Sequence, residues 1–551
     1  MTQERTSFID HWKELSEFVQ PRKGRFYLTD RNKGEKAYQR VINSAAGYAL
    51  KVARAGMFSG VMSPATQWFS LVVDDPGLRE RPAVKEYLYQ LEGVLNRVFS
   101  SSNLYNMAPV MLGEMIQFGT GCLYQEDDFE DVSRFYAHTI GSYAISQNAK
   151  FKVDTVAREW QMTALQMVRQ FGYENCSQQV KTAYDNSNYD GWFDVRHMVQ
   201  PNEDYAPNGK LSRAKRFVSI YWEPGESGEK YLRKAGYTRF PYYVPRWDLT
   251  GEDIYGTDCP GMTALGDVKG LQIGERRIAQ AIDKLVNPPL KGPASLRNQP
   301  ISQLPGGSTL YDADGSGEGL APIYEVKPDV AALGNNLSRI ESRINRAYYV
   351  DLFLAISNMD GVQPRNQLEL SQRNQERLLQ LGPVLIQLFG EFLNPLIDNT
   401  LDRLYELDRI AGGGKVLPVP PEELRGREIK PEYISTLAVA QRAAGLGNIE
   451  RVATFQGGLM QAGLSDGRKF NGDEAIDTYA EQLRIPPSII RADDVVAAER
   501  QAAQEAQQQA ATMQQMGEAA DAAKTASETR TSDGKSVLDG VSKGLQDQGA
   551  R

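Results

Sequence analysis

Apolar residues recur at helical spacing over residues 34–60. Tyr38, Val41, Ile42, Ala45, Ala49 and Val52 share one stripe opposite a polar face. The pattern predicts a helix that ends near Gly60, because Ser63-Pro64 cannot continue it. Residues 68–73 read as a short strand. Helical spacing returns at 82–100 (Val84, Leu88, Leu91, Leu95, Val98) and at about 104–118. After Gly119-Thr120-Gly121 the pattern changes. CLYQE, VSRFYAH, SYAISQN and FKVDTVAREWQ are short, β-branched or aromatic runs with polar or glycine breaks, which predicts antiparallel strands. A helix is predicted at about 163–171, and further strands at 192–199, 215–222 and 229–247. The first half is therefore α+β.

The second half reads as mostly helical. Residues 267–286 place Leu271, Ile278, Ile282 and Leu285 on one stripe. Residues 287–328 are rich in Pro and Gly with a few β-like runs, so an irregular or small β module is expected. Residues 329–350 space Val330, Leu333, Leu337, Ile340, Ile344 and Ala347 alternately by three and four, a heptad-like seam. A helix packed within its own monomer shows the same stripe, so both readings stand. SNMDGVQPRN (357–366) is a turn-rich loop. A helical tract follows from about 367 to 410, and Pro383 and Pro395 should each kink it or start a new helix. AGGGKVLPVPP (411–421) reads as a linker, and 430–492 as a small helical domain. From about 497 the chain turns Ala- and Gln-rich, which suits either a helix that packs only in an assembly or disorder.

Composition narrows the class. The chain has 551 residues, 41% hydrophobic and 24% charged, enough for a sizeable core in about three or four domains. Its net charge of -8 argues against a general nucleic-acid coat. It is compatible with a wall past which DNA slides. Cys122, Cys176 and Cys259 lie far apart and form no CxxC, so neither a disulfide framework nor a zinc knuckle is supported. That usage points to synthesis in a reducing cytosol. The polar N-terminus is no secretory signal. The most apolar stretch, 381–397, is broken by Gln387, Glu391 and two prolines, so no membrane span is expected.

Reactive constellations are scarce. Gly412-Gly413-Gly414-Lys415 lacks the spacing and the following hydroxyl of a phosphate-binding P-loop and reads as linker. Asp312, Asp314, Ser316 and Gly317 imitate half of a calcium loop, but Ile323 stands where a bidentate Glu is needed. His11, His138 and His197 have no second ligand at metal-binding spacing. No GxSxG elbow occurs. Asp154 and Glu159 flank a strand-like run and are the weak case for a nuclease carboxylate pair. No catalytic residue, metal or cofactor is expected.

Five segments, in order between about residue 34 and about residue 420, resemble one family. AGMFSGVMSPATQWFSL (55–71) resembles the G-x-x-SPxxxWF-L segment of bacteriophage head-to-tail connecting proteins, the portal proteins of short-tailed, podovirus-type phages. EMIQFGTGCLY (114–124) is similar to that family's turn into its wing sheet. IGSYAISQN and VDTVAREWQMTALQMVRQFG (within 140–172) are similar to the run that follows, and PRWDLTGEDIYGTDCPGMTALGDVKGL (245–271) to a later one. LSQRNQERLLQLGPVLIQLFGEFLNPLIDNTLDRL (370–404) resembles its long helix with an LGPV kink. One departure is GVQPRNQLEL (361–370), where the family usually has a short Thr/Ala-x-Glu motif.

The resemblance implies an α+β portal-protein fold. It assigns 1–265 to a wing with an antiparallel sheet, 266–286 to a first stem helix, 287–328 to a clip and 329–350 to a second stem helix. A tunnel loop at 351–366 carries Asn358, Asp360, Gly361, Gln363 and Pro364. A long kinked helix and linker fill 367–429, a helical crown 430–496, and a barrel helix or disordered tail 497–551. The resemblance further implies a dodecameric ring at one capsid vertex of a virion, made in the host cytoplasm. Such a ring passes double-stranded DNA non-specifically in packaging and ejection. Its partners would be a packaging ATPase (terminase), scaffold and capsid proteins, and then tail adaptor proteins, with no membrane. Twelve inner helices, each about 10 Å across, enclose a bore of about 28 Å, wide enough for a duplex. Subunit-interface candidates are Leu271, Ile278, Ile282, Leu333, Leu337, Ile340 and Ile344. Channel candidates are Arg276, Arg277, Lys284, Arg339, Arg343, Arg346, Arg365, Arg373 and Arg377, through phosphate contacts. A DNA-processing enzyme (nuclease or motor subunit) and another virion structural protein of the tail or internal core are the alternatives.

Overall fold

The computed structural model describes residues 1–26, 30–31, 34, 40–79, 81–128, 130–208, 211–225, 230–286, 290–291, 321–322, 329–357, 380–424, 426–435, 437, 447–462, 470–472, 474–476 and 493–528. The chain divides into two compact units, Met1–Ala444 and Gly445–Arg551.

The first unit opens with a helix that hydrophobic spacing did not predict, α1 (Thr2–Phe18). Its sequence is mostly polar, yet Trp12 and Leu15 are fully buried. The Trp12 indole N–H donates to the Phe118 carbonyl at 3.2 Å. Helix α2 (Ala45–Met62) starts later than the stripe from residue 34 suggested. The reason is tertiary. The N–H groups of Ile42 and Asn43 donate to Gln272 Oε1, and Asn43 Oδ1 accepts from Ala45, so this stretch is a capped entry to the helix. Strand β1 (Phe69–Val73), the short helix α3 (Pro76–Arg79), α4 (Pro82–Ser101) and α5 (Leu104–Phe118) follow. The helical spacing of α4 and α5 is realised as buried faces in the largest core cluster.

Gly119 caps α5 in the left-handed conformation, φ 84°. A Cβ there would lie 2.2 Å from the Gly256 carbonyl oxygen, and one on Gly256 would lie 2.1 Å from that of Gly119. Gly261 is pressed equally hard, 2.2 Å from the Gln117 oxygen. Segments 114–124 and 245–271 therefore cross backbone on backbone, and glycine is required on both sides.

Two antiparallel sheets follow. Strands β2 (Leu123–Asp128), β3 (Val132–Ala137) and β9 (Tyr242–Tyr243) form one, in the order β3-β2-β9. The other is five-stranded in sequence order: β4 (Tyr143–Gln147), β5 (Val153–Thr163), β6 (Trp192–Pro201), β7 (Phe217–Trp222) and β8 (Arg233–Tyr237). Helices α6 (Ala164–Phe171) and α7 (Gln178–Asp185) lie between β5 and β6. Thr163 caps α6 in a reciprocal box with Gln166. The run at 229–247 splits between β8 and β9, in different sheets.

Helix α8 (Pro260–Val286) and helix α9 (Val330–Ala347) flank two short strands, β10 (Leu290–Lys291) and β11 (Ala321–Pro322), which pair antiparallel. Helix α10 (Val350–Ser357) follows, where a loop from 351 was expected. Phe353 explains it: the ring packs on Gly56 of α2, where a Cβ would lie 2.3 Å away. The tract from 380 is helical to 388, takes a π turn at Phe389–Leu393, and continues as α11 (Asn394–Ala411). Pro395 causes the turn. It has no N–H, and its ring excludes the carbonyl one turn back, so the wider turn absorbs the mismatch.

Gly412, Gly413 and Gly414 all have positive φ, as a helix-ending turn requires. The Asp408 carboxylate accepts the N–H groups of Gly414, Lys415, Val416 and Leu417 at 2.8–3.3 Å. Those bonds hold its pKa down, at about 2. The chain's own carboxylate thus fills the amide nest that a phosphate would need. Residues 430–433 do not open a helical domain as predicted. Strand β12 (Ile429–Tyr433) pairs antiparallel with β1, and Tyr433 stacks on Phe389 at 4.4 Å. The second unit contains α12 (Gly447–Gln461) and α13 (Asp493–Glu528), the latter covering the Ala/Gln-rich stretch up to 528. No described helix is long and apolar enough to cross a membrane.

Candidate DNA channel and ring interface

The residues proposed for the channel and the interface meet on the α8/α9 pair. Arg343 binds Asp267 at 2.6 Å, and Leu337 packs where a Cβ on Gly274 would be 2.5 Å away. That register runs the two helices antiparallel. The pair has two halves. Near the body, Leu271, Leu337 and Ile344 are buried in the chain's own core, and Ile278 and Ile340 pack against it. In the free chain these five residues hold α8 to α9 and to the body, so a single subunit already uses them. Farther out, exposure rises on both helices. Ile282 is 45% and Leu333 40% exposed, and Leu285 and Val286 are exposed to a similar or greater extent. The heptad-like seam therefore serves both readings: monomer core at one end, uncovered apolar surface at the other.

The basic residues occupy the opposite faces. At 3.6 residues per turn, Arg339, Arg343 and Arg346 cluster on one side of α9, opposite Leu333, Leu337 and Ile344. Arg277 and Lys284 share a side of α8 in the same way, with Arg276 beside them. All six are exposed. Arg343 is committed to Asp267, and Arg339 donates to Asn336 at 3.4 Å. Arg276, Arg277, Lys284 and Arg346 have no ion-pair partner among the described residues. Asn358, Asp360, Gly361, Gln363 and Pro364, and Arg365, Arg373 and Arg377, lie outside the described residues, as do Asp312, Asp314, Ser316, Gly317 and Ile323 of the calcium-like loop.

Spacing could not reveal a buried charge cluster elsewhere in the first unit. Arg246 is 1% exposed. Its guanidinium donates to Gln147 Oε1 at 2.9 Å, to the carbonyls of Phe151 and Ile254 at 2.7 and 3.3 Å, and to Glu391 Oε1 at 3.0 Å from Nε. Its backbone N–H donates to Glu391 Oε2 at 2.9 Å. Glu391 sits on the π turn, and burial raises its carboxyl pKa against the pull of Arg246. One side chain thus ties the five-stranded sheet, the 245–257 segment and the kinked tract together. The only sequence signal was Glu391 itself, a charge in the most apolar stretch of the chain.

The carboxylate pair proposed for a nuclease does not form. Asp154 sits at a bulge where β5 pairs with β4, skipped between Thr155 and Val153, and its carboxylate accepts from the Thr155 hydroxyl at 3.1 Å. Glu159 pairs with Arg196 at 3.1 Å. No group of three or more His, Cys, Asp or Glu residues poised to hold a metal occurs among the described residues. His197 is a core residue. Its Nε2 meets Ser219 Oγ at 2.9 Å, its Nδ1 meets the Tyr242 hydroxyl at 3.1 Å, and its ring stacks on Tyr221. Burial lowers its pKa to about 3, and burial pushes His138 down as well. The unfolded chain takes up these protons below about pH 6.5 and the folded chain does not. Stability should therefore fall as pH drops from about 6.5 towards 3, and these two groups should add no pH dependence above that window. Melting temperature against pH checks this, with a shallower acid limb expected for His197→Gln.

The comparisons with known proteins bear on the whole chain. A family model for the bacteriophage head to tail connecting protein matches residues 1–490. The chain is 39% identical over 531 residues to the portal protein of Salmonella phage epsilon15, covering 96% of this chain and 94% of that one. It is 38% identical over 498 residues to a probable portal protein of Bordetella phage BPP-1, covering 90% and 88%. With an α+β body, an antiparallel helix pair and a kinked helical tract already in place, this chain belongs to the bacteriophage head to tail connecting protein family.

Proposed function

We propose that this protein is a portal: a ring at one capsid vertex through which the phage genome is packaged and later ejected. The observation that carries the reading is the outer half of the α8/α9 pair. It presents uncovered apolar residues on one side and unpaired cations on the other. Side-by-side subunits in a closed ring cover the first and line a bore with the second. The function is structural, as in the family, and no catalytic step is assigned to the chain.

In this reading α8 and α9 form the stem and the segment between them the clip, where the packaging ATPase docks before tail proteins replace it. The 358–366 segment is the tunnel loop, and the second unit supplies the crown. A dodecamer is the expected closure. The unpaired cations touch phosphates without reading sequence, while the acidic remainder keeps DNA from sticking. Deleting 358–366 should leave rings intact but sharply reduce the DNA retained in heads. DNA content per purified head checks this; full heads from the deletion mutant would remove the tunnel-loop assignment.

A further inference from the structure

We propose that a cationic groove on the first unit receives the acidic β2–β3 hairpin of a neighbouring copy of this chain, as one contact of the ring proposed above. The groove is a cavity of about 560 Å³ between α4 and the turn after α11. Arg97 from α4 and Lys415 from the turn line it. Both are exposed, and neither has an ion-pair partner among the described residues. The one acid in its lining, Glu92, is turned inward, accepting from Gln67 Nε2 at 2.7 Å and from the Leu71 N–H at 2.6 Å. Gly93 forms part of the wall in mid-helix, where glycine costs about 1 kcal/mol. A Cβ on Gly93 would meet nothing within 4 Å, so packing inside this chain does not require glycine there. Tyr89, one turn earlier, is 74% exposed. The Lys415 side of the groove is fixed, because Asp408 holds the N–H groups of four consecutive residues. The arrangement suits an anionic protein segment that approaches the helix closely at Gly93.

The same chain carries such a segment. The hairpin formed by β2 and β3 holds Glu126, Asp127, Asp128, Glu130 and Asp131 within six positions. Arg403 answers Asp127 at 2.6 Å, and Arg134 answers Asp128 and Asp131 at 3.0 and 3.7 Å. Glu130 is exposed and has no ion-pair partner among the described residues. Groove and hairpin are separate patches that both adjoin α11. Arg403 reaches the hairpin, whereas Asp408, five residues on, holds the groove's turn. Two different patches make a heterologous contact, the kind that can close a ring. Copies of a chain with net charge -8 repel one another, and a cationic receptor for an acidic tip offsets this where they touch.

Charge reversal tests the proposal, with ring population read by mass photometry. Arg97→Glu with Lys415→Glu, and separately Glu130→Lys, should convert rings to monomers at concentrations where the wild type assembles. Combining all three substitutions should restore rings. Reversal variants that assemble like the wild type, or losses that the combination does not recover, overturn the proposal. A wild-type chain that forms no ring overturns the ring reading instead, which keeps the two failures distinct. Independently, oxidised rings of Arg97→Cys with Glu130→Cys should run as a covalent ladder on a non-reducing gel; rings that run only as monomers contradict the contact.

Discussion

Replacing Arg246 by Ala is expected to destabilise the first unit by about 3–5 kcal/mol, because it strands the mostly buried Glu391 carboxylate and leaves three acceptors without their donor. Arg246→Lys should recover little, since an ammonium cannot reach Gln147, Phe151 and Glu391 from one plane. Glu391→Gln should cost less than Arg246→Ala, because its amide oxygen still accepts from Arg246. The cost should appear as a lower melting temperature and a smaller soluble yield, with Arg246→Ala the most severe of the three. An Arg246→Ala chain that melts with the wild type would mean the cluster is not the joint described above.

The second large effect concerns assembly rather than folding. Ile282→Glu together with Leu333→Glu should leave the monomer's melting temperature nearly unchanged, since both side chains are substantially exposed in a single chain. Ring formation should fall by about a hundredfold or more, because each interface would then bury an unpaired carboxylate. By contrast, Leu271→Glu or Ile344→Glu should prevent folding outright, as both residues are fully buried in the monomer. Sedimentation velocity alongside thermal melting separates the two classes.

That contrast marks what the sequence could and could not reveal. Helical spacing reported α4, α5 and α9 closely, because each carries one continuous apolar stripe, but it began α8 at 267 where the helix starts at Pro260. It could not say where along the α8/α9 pair the body ends, so Leu271 and Ile282 read alike although one is core and the other surface. Helix α1 was invisible because its burial rests on a few residues, above all Trp12, in a polar segment. The start of α2 depends on Gln272, more than two hundred residues away in sequence. The alternation of the earlier strands was legible, but β12 was not read as a strand at all, since it forms by pairing with β1, more than three hundred residues away. The glycines of 114–124 and 245–271 showed as motif positions, and their cause, backbone crossing backbone, showed only in three dimensions. Arg246 was quoted within a motif without any sign that it was buried.

The central claim is that this chain closes into a ring with an axial channel. Electron microscopy of the purified protein, classified by rotational symmetry, tests it most directly. The account predicts rings of about twelve subunits with an open bore of about 28 Å. A compact, non-cyclic oligomer with no channel would contradict it.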